Sequence, residues 1–560
     1  MLKRILICSN FYPPFFVGGA EIIAHEQACY LKKNGYEVFV FCGKHDDSCH
    51  RYSITQDTYD GLKIFRVILH AQDYHIGENF YNHAVDDLFE AVVEEVRPDV
   101  IHFHNIVSLS LGIVARARKR GIKTVLTLHD HWGFCYKNTL LKEPEKVCHD
   151  FSKCAECLPE LTDSRGRRLH IRIRQDYIAL QLAKVDRFVS PSAYLASAYA
   201  KAGIPTDKIS VISYGVNVER FSRVVKTATN GPMRFTFIGH LGLHKGVHVL
   251  LSAIELLQKQ GYLGSLCMLN IVGVGAMADD VAKFVKEMRL DDVVKLWGKV
   301  NHTQIEKVYQ STDVLITPSI WPENEPVTIL EAMAAGIPVL ASALGGNLEL
   351  VVKGVTGCLF ESGNAQMLAE KMVEMAQNRK HVEMMGRNAH KQVVQDTLNN
   401  YVRQITKVYQ KQETMTLAGD RIILCSGDRL SMECAFAIEQ FRQQDNGKHF
   451  RFIMSDWIEP EDWEIVDLVW VVDENGKQRD LLESMKRGLP LLVPEQNYKL
   501  VEMCRNGQCG LFYADEIEAE VCLQYLIDRP SILAALGRNA KSTSQKSTTN
   551  LSITLGGLGR

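Results

Sequence analysis

The sequence predicts an α/β fold of two doubly wound parallel sheets in tandem, followed by a third, shortened unit of the same kind. Three observations predict it. Short apolar runs alternate with helical patterns over the first ~215 residues, as they do where a parallel sheet is covered by helices on both faces. The alternation restarts after a polar linker at Lys226–Pro232. Late in the chain a pattern returns: Thr328-Ile-Leu-Glu331-Ala-Met-Ala-Ala-Gly336-Ile-Pro338 reappears as Asp480-Leu-Leu-Glu483-Ser-Met-Lys-Arg-Gly488-Leu-Pro490. Gly386-Arg387-Asn388-Ala389 likewise reappears as Gly537-Arg538-Asn539-Ala540.

In the first unit, residues 1–215, strands are expected at Arg4–Ser9, Glu37–Cys42, Asp99–Phe103, Thr124–His129, Arg187–Ser190 and Ile209–Ser213. The opening Met-Leu-Lys-Arg-Ile-Leu-Ile-Cys starts like a signal peptide, but its apolar run stops at Ser9-Asn10 and reads better as a buried strand. In the second unit, residues 216–412, strands are expected at Arg234–Gly239, Leu266–Gly273, Val293–Trp297, Asp313–Pro318, Pro338–Ala341 and Gly357–Phe360. The stretch 399–412 carries Tyr401, Ile405, Val408 and Tyr409 at helical spacing. Residues 420–540 form the degenerate repeat, with a strand at Pro490–Pro494. Residues 541–560, rich in Ser, Thr and Gly, lack the apolar content to pack and are expected to be disordered.

Composition excludes some classes. With 560 residues, 46% hydrophobic and 23% charged, and a net charge of −2, no global field favours nucleic acid, and attraction to anionic lipid needs a local patch. No apolar run reaches bilayer length. Cysteines scattered through expected strands, such as Cys8, Cys42, Cys267 and Cys425, suit a reducing, cytoplasmic setting.

Chemistry concentrates in Pro322–Gly346. Glu323 and Glu331 stand seven residues apart across a loop-to-helix junction, with Pro326 suited to the first helical turn and Gly336 to its end. A helix start presents unpaired N–H groups that hold phosphate. Acids on either side of it can grip hydroxyls flanking a diphosphate; a capping acid plus a solvated one is the plainer alternative. Lys245 is the available cation. Gly18 and Gly19 let backbone amides approach phosphate or acceptor, or else simply make a turn.

These pieces together resemble the retaining glycosyltransferases of family 4. The resemblance rests on Gly18-Gly19-Ala20-Glu21, Thr127-Leu128-His129-Asp130, Gly239-His240-Leu241 with Lys245-Gly246, Gly273-Val274-Gly275 and the Glu323-x7-Glu331 stretch, in the family's order over about the first 410 residues. It implies the GT-B architecture, with two Rossmann-like domains facing a cleft and the 399–412 helix crossing back to the first. It also implies transfer of a sugar from a UDP-, GDP- or ADP-linked donor to a glycan or lipid-linked acceptor, in surface polysaccharide or glycoconjugate synthesis. By the same resemblance, Glu331 binds ribose, Glu323 the sugar, and amides near Val327 and Thr328 phosphate. His129 then lies beside the donor sugar and leaving group, Asp130 and His131 orient its loop, and Gly239, Gly273 and Gly275 line the donor site. His240 departs from the family, which carries Arg there, and weakens one phosphate contact. No Asp-x-Asp metal motif is present, so Lys245 and helix starts are expected to replace a catalytic metal. A sugar-nucleotide epimerase and a non-catalytic scaffold of a glycan assembly complex are the alternative readings.

Two features fall outside the family pattern. Within a Cys-rich insertion, 132–160, Cys135, Cys148, Cys154 and Cys157 end in Cys-x2-Cys; a structural zinc, free buried thiols and disulfides all fit, with His149 a spare ligand. Arg165, Arg167, Arg168, Arg172 and Arg174 then cluster beside an amphipathic stretch reaching Leu182. That cluster reads as a solvated face or as a patch for peripheral contact with an anionic membrane or a diphosphate-linked acceptor. The repeat lacks the acid at the position matching Glu323, which is Asn475, and is expected to serve self-association or a protein partner.

Overall fold

The computed structural model describes residues 3–15, 18–75, 79–142, 146–154, 158, 161–162, 168–225, 231–411, 421–427, 430, 432–443, 449–473 and 476–546. The first unit holds β1 (Arg4–Ser9), β2 (Glu37–His45), β3 (Ile54–Tyr59), β4 (Leu62–Leu69), β5 (Val100–Phe103), β6 (Lys123–Thr127), the short pair β7 (Leu161–Thr162) and β8 (Arg168–Leu169), β9 (Arg187–Ser190) and β10 (Ile209–Val211). Its main sheet runs β10-β9-β6-β5-β1-β2-β4-β3, parallel except for the edge strand β3. Both strands of the β3–β4 hairpin are absent from the expected strands: β3, Ile-Thr-Gln-Asp-Thr-Tyr, is mostly exposed and carries no apolar face, whereas β4, Leu-Lys-Ile-Phe-Arg-Val-Ile-Leu, is a nearly fully buried apolar run that the expectation leaves out. The hairpin's signal was Asp60-Gly61, whose φ angles of 48° and 72° make the mirror-image turn that two-residue hairpins prefer.

The second unit holds β11 (Met233–Ile238), β12 (Cys267–Val272), β13 (Val294–Gly298), β14 (Val314–Thr317), β15 (Val339–Ser342) and β16 (Gly357–Phe360), ordered β13-β12-β11-β14-β15-β16. Each lies within about two residues of its expected place. The helix Leu398–Gln410 crosses back to the first unit, where Tyr401 donates to Gln27 at 2.9 Å and the Tyr409 hydroxyl meets His102 Nδ1 at 2.7 Å. Its buried face, Tyr401, Val402, Ile405, Val408 and Tyr409, shares one apolar core with β1 and β2.

The third unit is a parallel sheet of β17 (Arg421–Ser426), β18 (Phe450–Met454), β19 (Val466–Val471), β20 (Leu491–Pro494) and β21 (Gly510–Tyr513), ordered β18-β17-β19-β20-β21. The helix Pro530–Lys546 runs into the segment expected to be disordered, so that expectation fails for 541–546; its Thr543 and Ala540 pack against the unit. Residues 547–560 lie outside the described residues.

The third unit docks on the first through the helix Ile171–Ala183, and this corrects the reading of the arginine cluster. Arg172 and Arg174 are buried: Arg172 pairs with Glu439 of the third unit at 3.1 Å, and Arg174 lies over the rings of Phe80 and Tyr136. Neither can meet a membrane. Arg165 and Arg167 lie outside the described residues, and Arg168 belongs to β8. The helix is buried nearly all round rather than amphipathic, because one side faces the first unit and the other faces β18. Asp176 anchors it, accepting from Arg442 at 3.0 Å and from the Phe452 amide at 2.9 Å. Trp457 fits among Phe80, Tyr81 and Tyr177, and the apolar core continues from one unit into the other.

Candidate functional site

The expected motifs gather at the carboxyl ends of the strands of the first two sheets, where doubly wound folds bind ligands. Gly18 caps the helix Gly19–Lys33, and its amide donates to Glu21 at 2.9 Å. Opposite stands the helix Val327–Ala334, capped by Pro326. The two starts face each other so closely that a Cβ on Gly19 would touch the Val327 side chain at 3.6 Å. The two starts therefore lie side by side, each with a positive helix end and first-turn amides, those of Val327 and Thr328 among them.

Glu323 is buried beside Lys245 Nζ at 2.7 Å and the Ser319 hydroxyl at 2.6 Å. Burial opposes its ionisation, but Lys245 and Ser319 hold its carboxyl below the usual range. Lys245 also lies over the Trp321 ring at 4.9 Å. The loop carrying Glu323 is seated on Gly345 and Gly346, where a Cβ would meet the Glu323 carbonyl at 2.4 Å and the Asn324 carbonyl at 1.7 Å. That close approach is why the acidic stretch ends in Gly-Gly.

Glu331 is held by His302 Nε2 at 2.7 Å and by the Tyr309 hydroxyl at 2.7 Å. Burial works against a charged His302, yet Glu331 and Glu26 keep its pKa above the ordinary imidazole value. Glu26, on the first helix, is pushed up to about 7 by burial and by Glu331, against the pull of His302 and Arg220. Sequence reasoning missed His302, Tyr309 and Glu26; each stands outside any motif, and only the fold brings them to Glu331.

His129 has both ring nitrogens engaged. Nε2 meets His104 Nδ1 at 2.8 Å and Nδ1 meets the Tyr214 hydroxyl at 2.6 Å, within a stack of near-parallel rings that also includes His102. Burial lowers its pKa to about 3, so the ring is neutral. The His129 carbonyl, rather than the ring, reaches across the cleft, accepting from Asn324 at 2.6 Å. Asp130 accepts from the Trp132 amide at 2.7 Å, and His131 meets the Asn138 carbonyl and the Tyr194 hydroxyl, so both shape this loop.

The remaining glycines have packing work to do. A Cβ on Gly273 would meet the Gly239 carbonyl at 1.8 Å, and one on Gly275 the Leu241 carbonyl at 2.4 Å, so the two let the Gly239–Leu241 loop lie flat on them. His240 is exposed and stacks on His244 at 5.9 Å.

Of the four cysteines, Cys157 lies outside the described residues. Cys154 accepts from Gln175 at 3.1 Å, and Cys148 donates to the Asp150 carbonyl at 3.4 Å. Burial raises the Cys135 and Cys154 thiols. Among the described residues, the groups whose ligand atoms all fall within 4.8 Å of one another are His25, Cys29 and Asp60, and His83, Asp86 and Glu459; neither includes these cysteines. No helix among the described residues is long and apolar enough to cross a membrane.

Comparison with known proteins agrees with this geometry. Residues 17–220 match the model of Glycosyltransferase Family 4 and residues 219–392 that of Glycosyl transferases group 1. The amylovoran biosynthesis glycosyltransferase AmsK of Erwinia amylovora is 30% identical over 185 residues, which are 32% of this chain and 45% of that protein. The chain thus spans about half the length of the first curated relatives it matches, between 45% and 48%. Sucrose-phosphate synthase of Thermosynechococcus elongatus superposes with a TM-score of 0.57 at 18% identity, covering 73% of this chain and 98% of that one. Anabaena HepE in complex with UDP and glucose superposes with a TM-score of 0.53 at 18% identity, covering 74% and 100%. These two likenesses establish the fold.

Proposed function

The chain belongs to the family 4 (group 1) glycosyltransferases of GT-B fold, and we propose that it transfers a hexosyl group from a nucleotide sugar to a glycan or lipid-linked acceptor, with retention of configuration, in polysaccharide synthesis. The observation that carries the reading is the juxtaposition of two helix starts, at Gly19 and Val327, together with the Lys245–Glu323 pair. As the bond between the anomeric carbon and phosphate breaks, negative charge builds on the leaving diphosphate. Fixed amides, aligned dipoles and an ammonium in a partly dry cleft stabilise that charge without reorganising. Lys245 exchanges part of its contact with Glu323 for phosphate when donor enters. Glu323 then turns its acceptor oxygens to sugar hydroxyls, and Glu331, fixed by His302 and Tyr309, to the ribose. The acceptor hydroxyl attacks from the face the leaving group departs, and the released phosphate oxygen takes its proton. His129, neutral and tied at both nitrogens, shapes the wall beside the sugar.

The amylovoran relative and the UDP and glucose bound by HepE support a UDP-sugar and a polysaccharide setting. Nucleotide release from UDP-, GDP- and ADP-sugars, with and without bacterial membrane extract, tests the proposal. The expected result is turnover with one donor class, stimulated by extract. A folded protein that releases no nucleotide from any donor supports the scaffold reading instead.

A further inference from the structure

The group formed by His83, Asp86 and Glu459 lies on the seam between the first and third units. His83 and Asp86 stand one turn apart on the helix His83–Val96, and Glu459 comes from the third unit beside Trp457. Asp86 is 0% exposed; neither of its carboxylate oxygens has a partner in full hydrogen-bonding geometry, the Ser110 hydroxyl is the donor beside it, and burial pushes its carboxyl up to about 8. A Cβ on Gly112 would fall 2.2 Å from Asp86 Oδ2, so a bare residue is what admits the carboxylate at this spot. His83 turns Nδ1 toward Asp86 Oδ2 at 3.8 Å, while Nε2 meets the Tyr81 hydroxyl, which donates to the Asp456 carbonyl.

The local charge does not balance. Asp86, Asp87, Glu90 and Glu459 surround one guanidinium, Arg116, which lies 3.7 Å from Asp87 and 3.6 Å from both Glu90 and Glu459. Arg120 pairs outward with Glu90 and Glu94. A buried carboxylate with no more than a hydroxyl beside it is costly in its charged form, and either a proton or a cation relieves that cost. One imidazole nitrogen with two carboxylate oxygens is a ligand set that borderline divalent ions accept, and an imidazole oriented through its second nitrogen is the usual arrangement at such sites. The other group is weaker, since both nitrogens of His25 already have partners, in Tyr12 and Asp60.

We propose that His83, Asp86 and Glu459 bind a divalent ion of the zinc class, which clamps the third unit to the first. The half-exposed His83 leaves an open side for entry and for a water ligand. This site lies apart from the cleft and does not depend on the reading of the reaction.

The test uses the full chain, stripped with chelator, dialysed, and titrated with zinc chloride by calorimetry, with bound metal counted by mass spectrometry. Asp86→Asn and His83→Ala are expected to lose one equivalent of zinc relative to wild type, while Cys135→Ser with Cys148→Ser retains it. Hydrogen exchange of the helix Ile171–Ala183 is expected to slow on zinc addition in wild type and to stay unchanged in the two variants. Should Asp86→Asn fail to fold, the half-exposed His83→Ala carries the comparison. Wild type that binds no zinc equivalent dependent on these residues, or exchange indifferent to zinc, overturns the proposal and leaves a proton on Asp86 as the occupant.

Discussion

The second and third units are two versions of one design, and their difference separates what a Rossmann-like sheet needs from what a donor site needs. Their strand orders coincide once β13 is removed. The same close approach recurs in both: a Cβ on Gly386 would meet the Gly336 carbonyl at 2.2 Å, and one on Gly537 the Gly488 carbonyl at 2.1 Å. Asn388 donates to the Val355 carbonyl at 3.1 Å, and Asn539 to the Gln508 carbonyl at 3.0 Å. Glycines and an asparagine that seat one helix on the strand beside it are thus kept. Ligand-facing positions are not. Glu331 is held toward the cleft by His302 and Tyr309, whereas its counterpart Glu483 pairs with Arg487 one turn along its own helix at 2.6 Å. Where the second unit faces a cleft, the third meets the helix Ile171–Ala183, so a partner for this repeat is found within its own chain.

The comparison breaks most visibly if the third unit is removed. A chain ending at Lys411 exposes Tyr177, Phe80 and the unpaired Asp176, and is expected to be insoluble or molten, which expression and circular dichroism will show. A soluble, active truncation would mean that the docking is dispensable. Arg442→Ala isolates the main polar contact: Asp176, whose pKa burial already raises, loses the guanidinium that offsets that burial, and the variant is expected to unfold at lower denaturant by up to about 3–5 kcal/mol. In the second unit, Lys245→Ala and Glu323→Ala are expected to lower kcat/KM by about 100-fold or more at unchanged fold, the scale of a lost charge-stabilising contact; near wild-type kinetics would remove both from the site. Gly386→Ala and Gly537→Ala sharpen the contrast, since each crowds a backbone carbonyl and is expected to cost about 1–3 kcal/mol, while the Gly386 change alone lowers donor affinity. The smallest effect concerns pH. Because the folded pKa of His302 is raised, its pairing with Glu331 stabilises fully below the ordinary imidazole value of about 6.5 and fades as pH rises through the raised value. The difference in Tm between wild type and His302→Asn is therefore expected to shrink from pH 6 to pH 8.5.

The expected strands of the two main sheets were legible because parallel strands covered on both faces read as unbroken apolar runs, as in Arg4–Ser9 and Val314–Thr317. β3 was not, since an edge strand carries polar residues. At the site, Glu323, Glu331, Lys245 and the glycine pair were legible as motif. His104, Tyr214, His302 and Glu26 were not, because isolated side chains acquire their meaning from neighbours distant in sequence. The arginines at 172 and 174 show the opposite error: charge suggested solvent, and the structure gave those charges a buried partner or an aromatic face.

The contact of Asp176 with Arg442 has a consequence for how the chain is made. The two are 266 residues apart, an interval that takes about 13–53 s to synthesise at roughly 5–20 residues per second. Throughout that time the first unit holds out a helix with Tyr177 and a bare carboxylate, waiting for strands the ribosome has not yet produced. A nascent chain stalled between residues 411 and 442 is thus expected to be bound by chaperones at Ile171–Ala183, a surface that the finished protein never shows.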